Sequence, residues 1–351
     1  MVHKLLSCQI KKARLRGPYI GEPFTEDWPF GMVINRATRL ALGLGAAVLF
    51  LWLVLRDVKF SDVVRILGTA KPGWISAATA LFLGGYACRI ERWRLMLRHE
   101  NPRVRWVDCA GPFLASFAAN NTLPLRAGDV LRVFAFNRPL GAGPGVIAAT
   151  MFVERLLDLL MVLSVLGSAL AIFDLRASRY AGFSGIGLLC FAFFVLLMLF
   201  FSHHLKPALL RLANAIARIW PKVGTKLFSE VERSLDTLRT LTQGSTMLRL
   251  VIWSAVAWGL EALVYVLSAL AIPALASPLG GYFALPLTAF ATLIPSAPGY
   301  IGTFDFFAVR AMTALGNSGE SATAYAALVH IVIWLPITLL GGLYWLRSSR
   351  N

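Results

Sequence analysis

Apolar residues in this chain gather into long runs, separated by polar and mostly basic connections. The runs lie at 37–55, 74–88, 107–123, 146–173, 180–201, 247–272, 282–315 and 322–346. As a helix rising about 1.5 Å per residue, Ala37–Leu55 is about 28 Å long, close to the thickness of a bilayer's hydrocarbon core. The second run turns cationic and continues as Arg89-Ile90-Glu91-Arg92-Trp93-Arg94, so snorkelling arginines and an interfacial tryptophan are expected to complete it. The fifth opens with Gly182, Gly185 and Gly187, small residues that permit close helix contact. Two regions are interrupted. Residues 107–138 break at Pro124 and Gly128, and residues 282–315 break at Pro295, Pro298, Gly299 and Gly302. A polar excursion over 203–246 repeats Leu205, Leu209, Leu212, Ile216 and Ile219, then Val223, Leu227, Val231, Leu235 and Leu238. That spacing predicts two amphipathic helices, lying on the membrane or packed against the protein itself.

Composition sharpens the picture. The 351 residues are 57% hydrophobic and 15% charged, against about 25% charged in soluble domains. The formal charge of +16 would suit nucleic acid, but the basic residues sit at the ends of apolar runs and no nucleic-acid-binding signature is present. Cys8, Cys88, Cys109 and Cys190 are scattered and expected to be reduced. By the positive-inside rule the N-terminal tail, 89–105, 203–246 and the C-terminus are cytoplasmic, while 273–281 and 316–321, with no Lys or Arg, lie outside. This assignment closes when 107–138 enters and leaves from the cytoplasm and 282–315 enters and leaves from outside. The predicted fold is an all-α polytopic membrane protein of about six full spans plus two broken, re-entrant hairpins. It has the layout of an inverted repeat; a conventional bundle of about eight spans is the alternative. Residues 1–36 are expected to be a disordered basic tail, 37–346 one transmembrane domain, and 347–351 a short tail.

Charges inside these runs are the candidate chemistry. The first break carries Asn121, Arg126, Asp129, Arg132 and Arg138, and the 146–173 run carries Glu154, Arg155 and Asp158. Each charge at a helix centre costs about 2.5–3.5 kcal/mol, so three bare ones cost about 7–10 kcal/mol, as much as a whole domain's stability. They are therefore paired or wet. One reading has Arg155 neutralise Asp158 while Glu154 meets an arginine of the first break, locking helices together. The other has Arg126, Arg132 and Arg155 receive an anionic headgroup, with the carboxylates balancing them when the cavity is empty. Glu261 stands alone in its span, read as a neutral hydrogen-bonded acid or as a proton-coupling group. Asp305, Arg310 and His330 read as structural polar contacts.

Four pieces resemble the transmembrane-domain family of lysylphosphatidylglycerol synthases: Arg92-Trp93, Asn121–Arg132 (N-T-L-P-L-R-A-G-D-V-L-R), Glu154–Asp158 (E-R-L-L-D) and Ile294–Asp305 (I-P-S-A-P-G-Y-I-G-T-F-D). The resemblance implies a polytopic inner-membrane protein. In bifunctional members this domain is associated with moving a charged lipid between leaflets, and stand-alone relatives with other lipid pathways, including hopanoids and lipid-linked sugars. Only Arg347–Asn351 follow Leu346, so lysyl transfer is not expected of this chain. No phosphate loop, Rossmann fingerprint, nucleophile elbow or zinc motif is present. The expected role is translocation or handling of an anionic or isoprenoid-type lipid, with no cofactor or metal. Its partners are expected to be membrane lipids, with or without a lipid-biosynthesis enzyme. An embedded transferase with Asp129, Glu154 or Asp158 as base, and a non-catalytic partner protein, are the rivals.

Overall fold

The computed structural model describes residues 36–56, 58–123, 126–136, 140–173, 244–294 and 297–348, with isolated positions between 187 and 241. The basic tail over 1–35, most of the 180–201 run and of the 203–246 excursion, and Pro124, Arg138 and Pro295 lie outside the described residues. Among the described residues the elements are helical: α1 Arg36–Leu55, α2 Phe60–Gly68, α3 Pro72–Leu97, α4 Trp106–Thr122, α5 Ala127–Phe134, α6 Pro144–Ile172, α7 Gly244–Leu270, α8 Gly280–Ala291, α9 Thr303–Ala314 and α10 Gly319–Ser348. Three of them, α6, α7 and α10, are long and apolar enough to cross a membrane by length and composition. Pro72 and Pro144 sit in the first turns of α3 and α6, where a missing N–H costs nothing. Helix α2 falls within what the sequence suggested was a plain connection, and it buries Val63.

Both interrupted regions fold back on themselves. Helix α4 ends at Thr122, Leu123 is extended, and Arg126 adopts a left-handed conformation (φ 51°) before α5 begins. Gly128 was expected to be part of the unwound break, but it lies inside α5. Its role is close approach: a Cβ there would stand 1.8 Å from the Ser116 carbonyl oxygen, so only glycine lets α5 lie on α4. The second hairpin runs α8, a short 3₁₀ turn Pro298–Tyr300, then α9, with Gly299 and Gly302 at φ 74° and 86°.

The open end of each hairpin is tied by an asparagine. Asn101 Nδ2 donates to the Leu140 carbonyl at 3.0 Å, across the start of α4 and the end of α5. The Ser277 N–H donates to Asn317 Oδ1 at 3.0 Å, across the start of α8 and the end of α9. Each hairpin thus begins and ends on the same side of the helical body. At the second hairpin's side the Lys71 N–H also reaches the Ala271 carbonyl at 2.8 Å, which sets the start of α3 beside the end of α7.

The packing has a repeating pattern. Helix α3 lies along α7; α4 packs on α10 as α8 packs on α6; and α5 meets α6 as α9 meets α10. Four consecutive elements, α3 to α6, therefore correspond to α7 to α10. The long members match in length, 26 with 27 residues and 29 with 30.

Candidate functional site

Among the described residues, four arginine–carboxylate pairs cross between helices of this body. Arg132 of α5 donates to both carboxylate oxygens of Glu154, at 3.1 and 2.8 Å. The guanidinium also lies 4.0 Å from the Trp93 ring centroid and 4.4 Å from that of Phe113, so its faces are covered by aromatic rings. Arg92 of α3 donates to Asp158 at 2.9 Å and to Ser254 at 2.8 Å, and Asp158 also accepts the Trp258 indole N–H at 3.1 Å. Arg89, one turn earlier, is paired with Glu261 of α7. Arg155 donates to Asp129 at 3.0 Å.

These pairings correct three sequence expectations. Arg155 does not neutralise Asp158: it reaches Asp129 across the α5–α6 contact, while Asp158 faces α3 and takes Arg92. Glu261 is not a lone acid, because Arg89 meets it. Arg89 and Arg92, expected to snorkel outward, are instead buried, Arg92 completely. The physical reason is shared. Carboxylates on α6 and α7 need cations at the same depth, and α3 packs against both helices. Glu261 has no basic residue three or four positions away on its own helix. That was the signal that its partner had to come from another helix.

Where the two breaks meet, a cavity of about 190 Å³ opens. Gly299 sits against the Asn121 carbonyl and the Trp334 indole. Asn121 Nδ2 donates to Thr338 Oγ1 of α10 at 2.9 Å. Arg126, held by the left-handed turn, donates to the Thr292 carbonyl just past α8 at 2.9 Å, linking one break to the other. The polar wall is formed by Asn121, Arg126, Arg155, Glu261, Thr288 and His330, and the apolar wall by aromatic rings of α3, α4 and α9.

The expected site residues thus divide. Asn121, Arg126, Arg155, Glu261 and Gly299 line the cavity. Arg132, Glu154, Asp129 and Asp158 do not line it; Arg132 and Glu154 are shut off from solvent, whereas the Asp129 and Asp158 side chains stay 24% and 20% exposed. Pro298 and Gly302 shape the second break without lining the cavity, and Gly128 joins two helices. Among the described residues no group of three His, Cys, Asp or Glu side chains has metal-site geometry. Sequence reasoning did not assign a site role to Arg89, Arg92 or Trp334. The Trp334 indole N–H is buried beside Gly299 with no hydrogen-bond partner among the described residues.

Helices throughout the described residues, three of them apolar and of spanning length, with four arginine–carboxylate pairs set between helices, fit a multi-pass membrane protein. The sequence profile described as lysylphosphatidylglycerol synthase TM region matches residues 40–341, and the chain belongs to that family. It is also similar to the glycosyltransferase AglD of Haloferax volcanii, 30% identical over 141 residues. That match covers 39% of this chain and 22% of AglD.

Proposed function

We propose that this chain is a bacterial inner-membrane protein that moves an anionic or isoprenoid-type lipid between leaflets, taking the polar headgroup into the cavity between the breaks. In this reading six helices span the bilayer, both termini are cytoplasmic, and the two hairpins enter from opposite sides. One half would rock against the other to open the cavity alternately. A single observation carries it. Of the five arginines in the central cluster, four are matched by carboxylates, while Arg126, on the cavity wall, is held among the described residues by a neutral carbonyl. It is the cation with charge to spare for a phosphate. Its planar fork suits a phosphate's oxygens, and Arg155, whose side chain is 40% exposed, adds a second positive group on the same wall.

The test is transbilayer movement of fluorescent phosphatidylglycerol in proteoliposomes. Wild type should move it and Arg126→Ala should lose most of that activity while remaining folded. Normal movement by the Arg126→Ala protein would sink the site assignment. The partial similarity to a protein named a glycosyltransferase favours a second reading, a membrane module serving an enzyme that builds a lipid-linked sugar. Turnover of a lipid phosphate with a soluble sugar donor by the purified chain would go further and support an embedded transferase.

A further inference from the structure

His330 on α10 contacts an oxygen through each ring nitrogen. Nδ1 lies 2.8 Å from Asp305 Oδ1 and Nε2 lies 2.9 Å from the Gly299 carbonyl. A carbonyl oxygen only accepts, so Nε2 carries a hydrogen and donates. A neutral imidazole holding its hydrogen on Nε2 presents a lone pair at Nδ1. At 2.8 Å that lone pair would face the electron pairs of a carboxylate. The contact is attractive only with one more proton between the two, on Nδ1 or on Asp305. The other Asp305 oxygen accepts the Gly302 N–H at 2.9 Å, and Asp305 lies in the first turn of α9, where the helix dipole favours negative charge. With that proton on the ring, an imidazolium would stand between a carboxylate and a carbonyl, and both contacts would be hydrogen bonds.

We infer that His330 and Asp305 form a proton-binding site, and that its proton fastens the second break of the cavity to α10. Gly299, whose carbonyl is fastened, sits at φ 74° in the turn against Asn121 and Trp334. When the proton leaves, the ring cannot satisfy both oxygens. It turns from one of them, and the break loses a tie.

Other titratable or charged groups also face this region, and several of them already have partners. Around the cavity these are Tyr86 from α3, Tyr300 from the break, Tyr265 and Glu261 from α7, Arg126 from the first break, and Arg155 from α6. Glu261 is paired with Arg89, Arg155 with Asp129, and the Tyr265 hydroxyl with Thr288 at 2.7 Å. Arg310, further along α9, packs its guanidinium on the Phe306 ring. Proton-linked opening of the cavity follows if the translocation reading holds; the proton site itself does not depend on that reading.

The test uses the full chain in lipid nanodiscs, with ¹⁵N-histidine spectra and hydrogen exchange over residues 297–304, corrected for intrinsic pH dependence. Five histidines are present, and His330→Gln identifies the relevant resonances by difference. In wild type, both His330 nitrogens should carry hydrogens while the break is protected. Exchange should then rise about tenfold, the worth of one charge-assisted hydrogen bond, in step with loss of one of those hydrogens. Asp305→Asn is the discriminating variant. Its amide can donate to Nδ1 of a neutral ring while its oxygen keeps the Gly302 N–H, so both ties persist without the extra proton and protection should be flat with pH. A His330 ring with a single N–H while the break is protected overturns the proposal in the wild-type protein alone. An Asp305→Asn protein that follows the wild-type pH profile overturns it as well.

Discussion

Arg132 and Glu154 face each other through two hydrogen bonds, and neither side chain has more than 2% of its surface exposed. The pair joins the short returning leg of the first hairpin to the long helix α6. Both residues belong to the charged pattern read from the sequence as a headgroup site, yet neither lines the cavity. With Trp93 and Phe113 covering the guanidinium, the pair is a fastening for the hairpin.

Glu154→Gln should therefore act on stability before it acts on any ligand. It leaves a fully buried guanidinium facing a neutral amide, and breaking a buried pair at one partner costs about 3–5 kcal/mol. Replacing both residues with apolar ones, Arg132→Met with Glu154→Leu, removes the orphaned charge and should recover most of that loss. Thermal unfolding of the purified variants in detergent checks this. A single Glu154→Gln variant that melts with wild type would mean the pair is not a fastening.

The sharpest steric constraint sits four residues before Arg132. Gly128→Ala would put a methyl carbon 1.8 Å from the Ser116 carbonyl oxygen, and Gly341→Ala one 2.2 Å from that of Leu114. In both cases the obstacle is backbone, so two helices must separate. Gly342→Ala, next along α10, meets nothing within 4 Å and should be neutral or stabilising by up to about 1 kcal/mol. Expression and melting of the three variants should separate the first two from the third. Equal behaviour of Gly341→Ala and Gly342→Ala would contradict the α4–α10 packing.

The two breaks were legible because Pro and Gly interrupt apolar runs. The charge pairing was not legible in the same way. Glu154 and Asp158, four residues apart, share a face of α6; the expectation that Glu154 meets an arginine of the first break was met, while the expectation that Arg155 neutralises Asp158 from the same helix was not. The two carboxylates stand about 6 Å apart along the helix axis, and at those two heights α6 meets different neighbours, α5 near Glu154 and α3 near Asp158. Spacing within one helix records which residues share a face, not what packs opposite. Gly128 misled for a related reason. A glycine beside a proline reads as part of a turn, while the contact requiring it lies twelve positions back, at Ser116.

Arg126 offers a finer test than its removal. Arg126→Lys keeps the charge and loses the fork, so it should hold an anionic lipid more weakly than wild type and more strongly than Arg126→Ala. The loss of one charged hydrogen bond corresponds to about tenfold or more in affinity. Native mass spectrometry of the purified proteins with phosphatidylglycerol and phosphatidylcholine reads this out. The difference should appear with the anionic lipid and vanish with the zwitterionic one if Arg126 answers charge. Equal losses for both lipids would make Arg126 a structural tie to Thr292 alone.

The hairpins also make a prediction about sidedness. Because Asn317 ties the start of α8 to the end of α9, and Asn101 ties the start of α4 to the end of α5, each hairpin returns to the side it came from. Ala276 and Ala314 are exposed near the ends of the second hairpin, and Arg103 and Ala135 near the ends of the first. Single cysteines at these four positions, in a background lacking the native cysteines, report the side directly through an impermeant maleimide applied to intact cells. The expected result is labelling at positions 276 and 314 from outside, and at 103 and 135 only after the membrane is opened. A conventional bundle would cross the membrane within each hairpin and split each pair between the two sides. That outcome would remove the facing breaks from the middle of the membrane, and with them the cavity as a headgroup site.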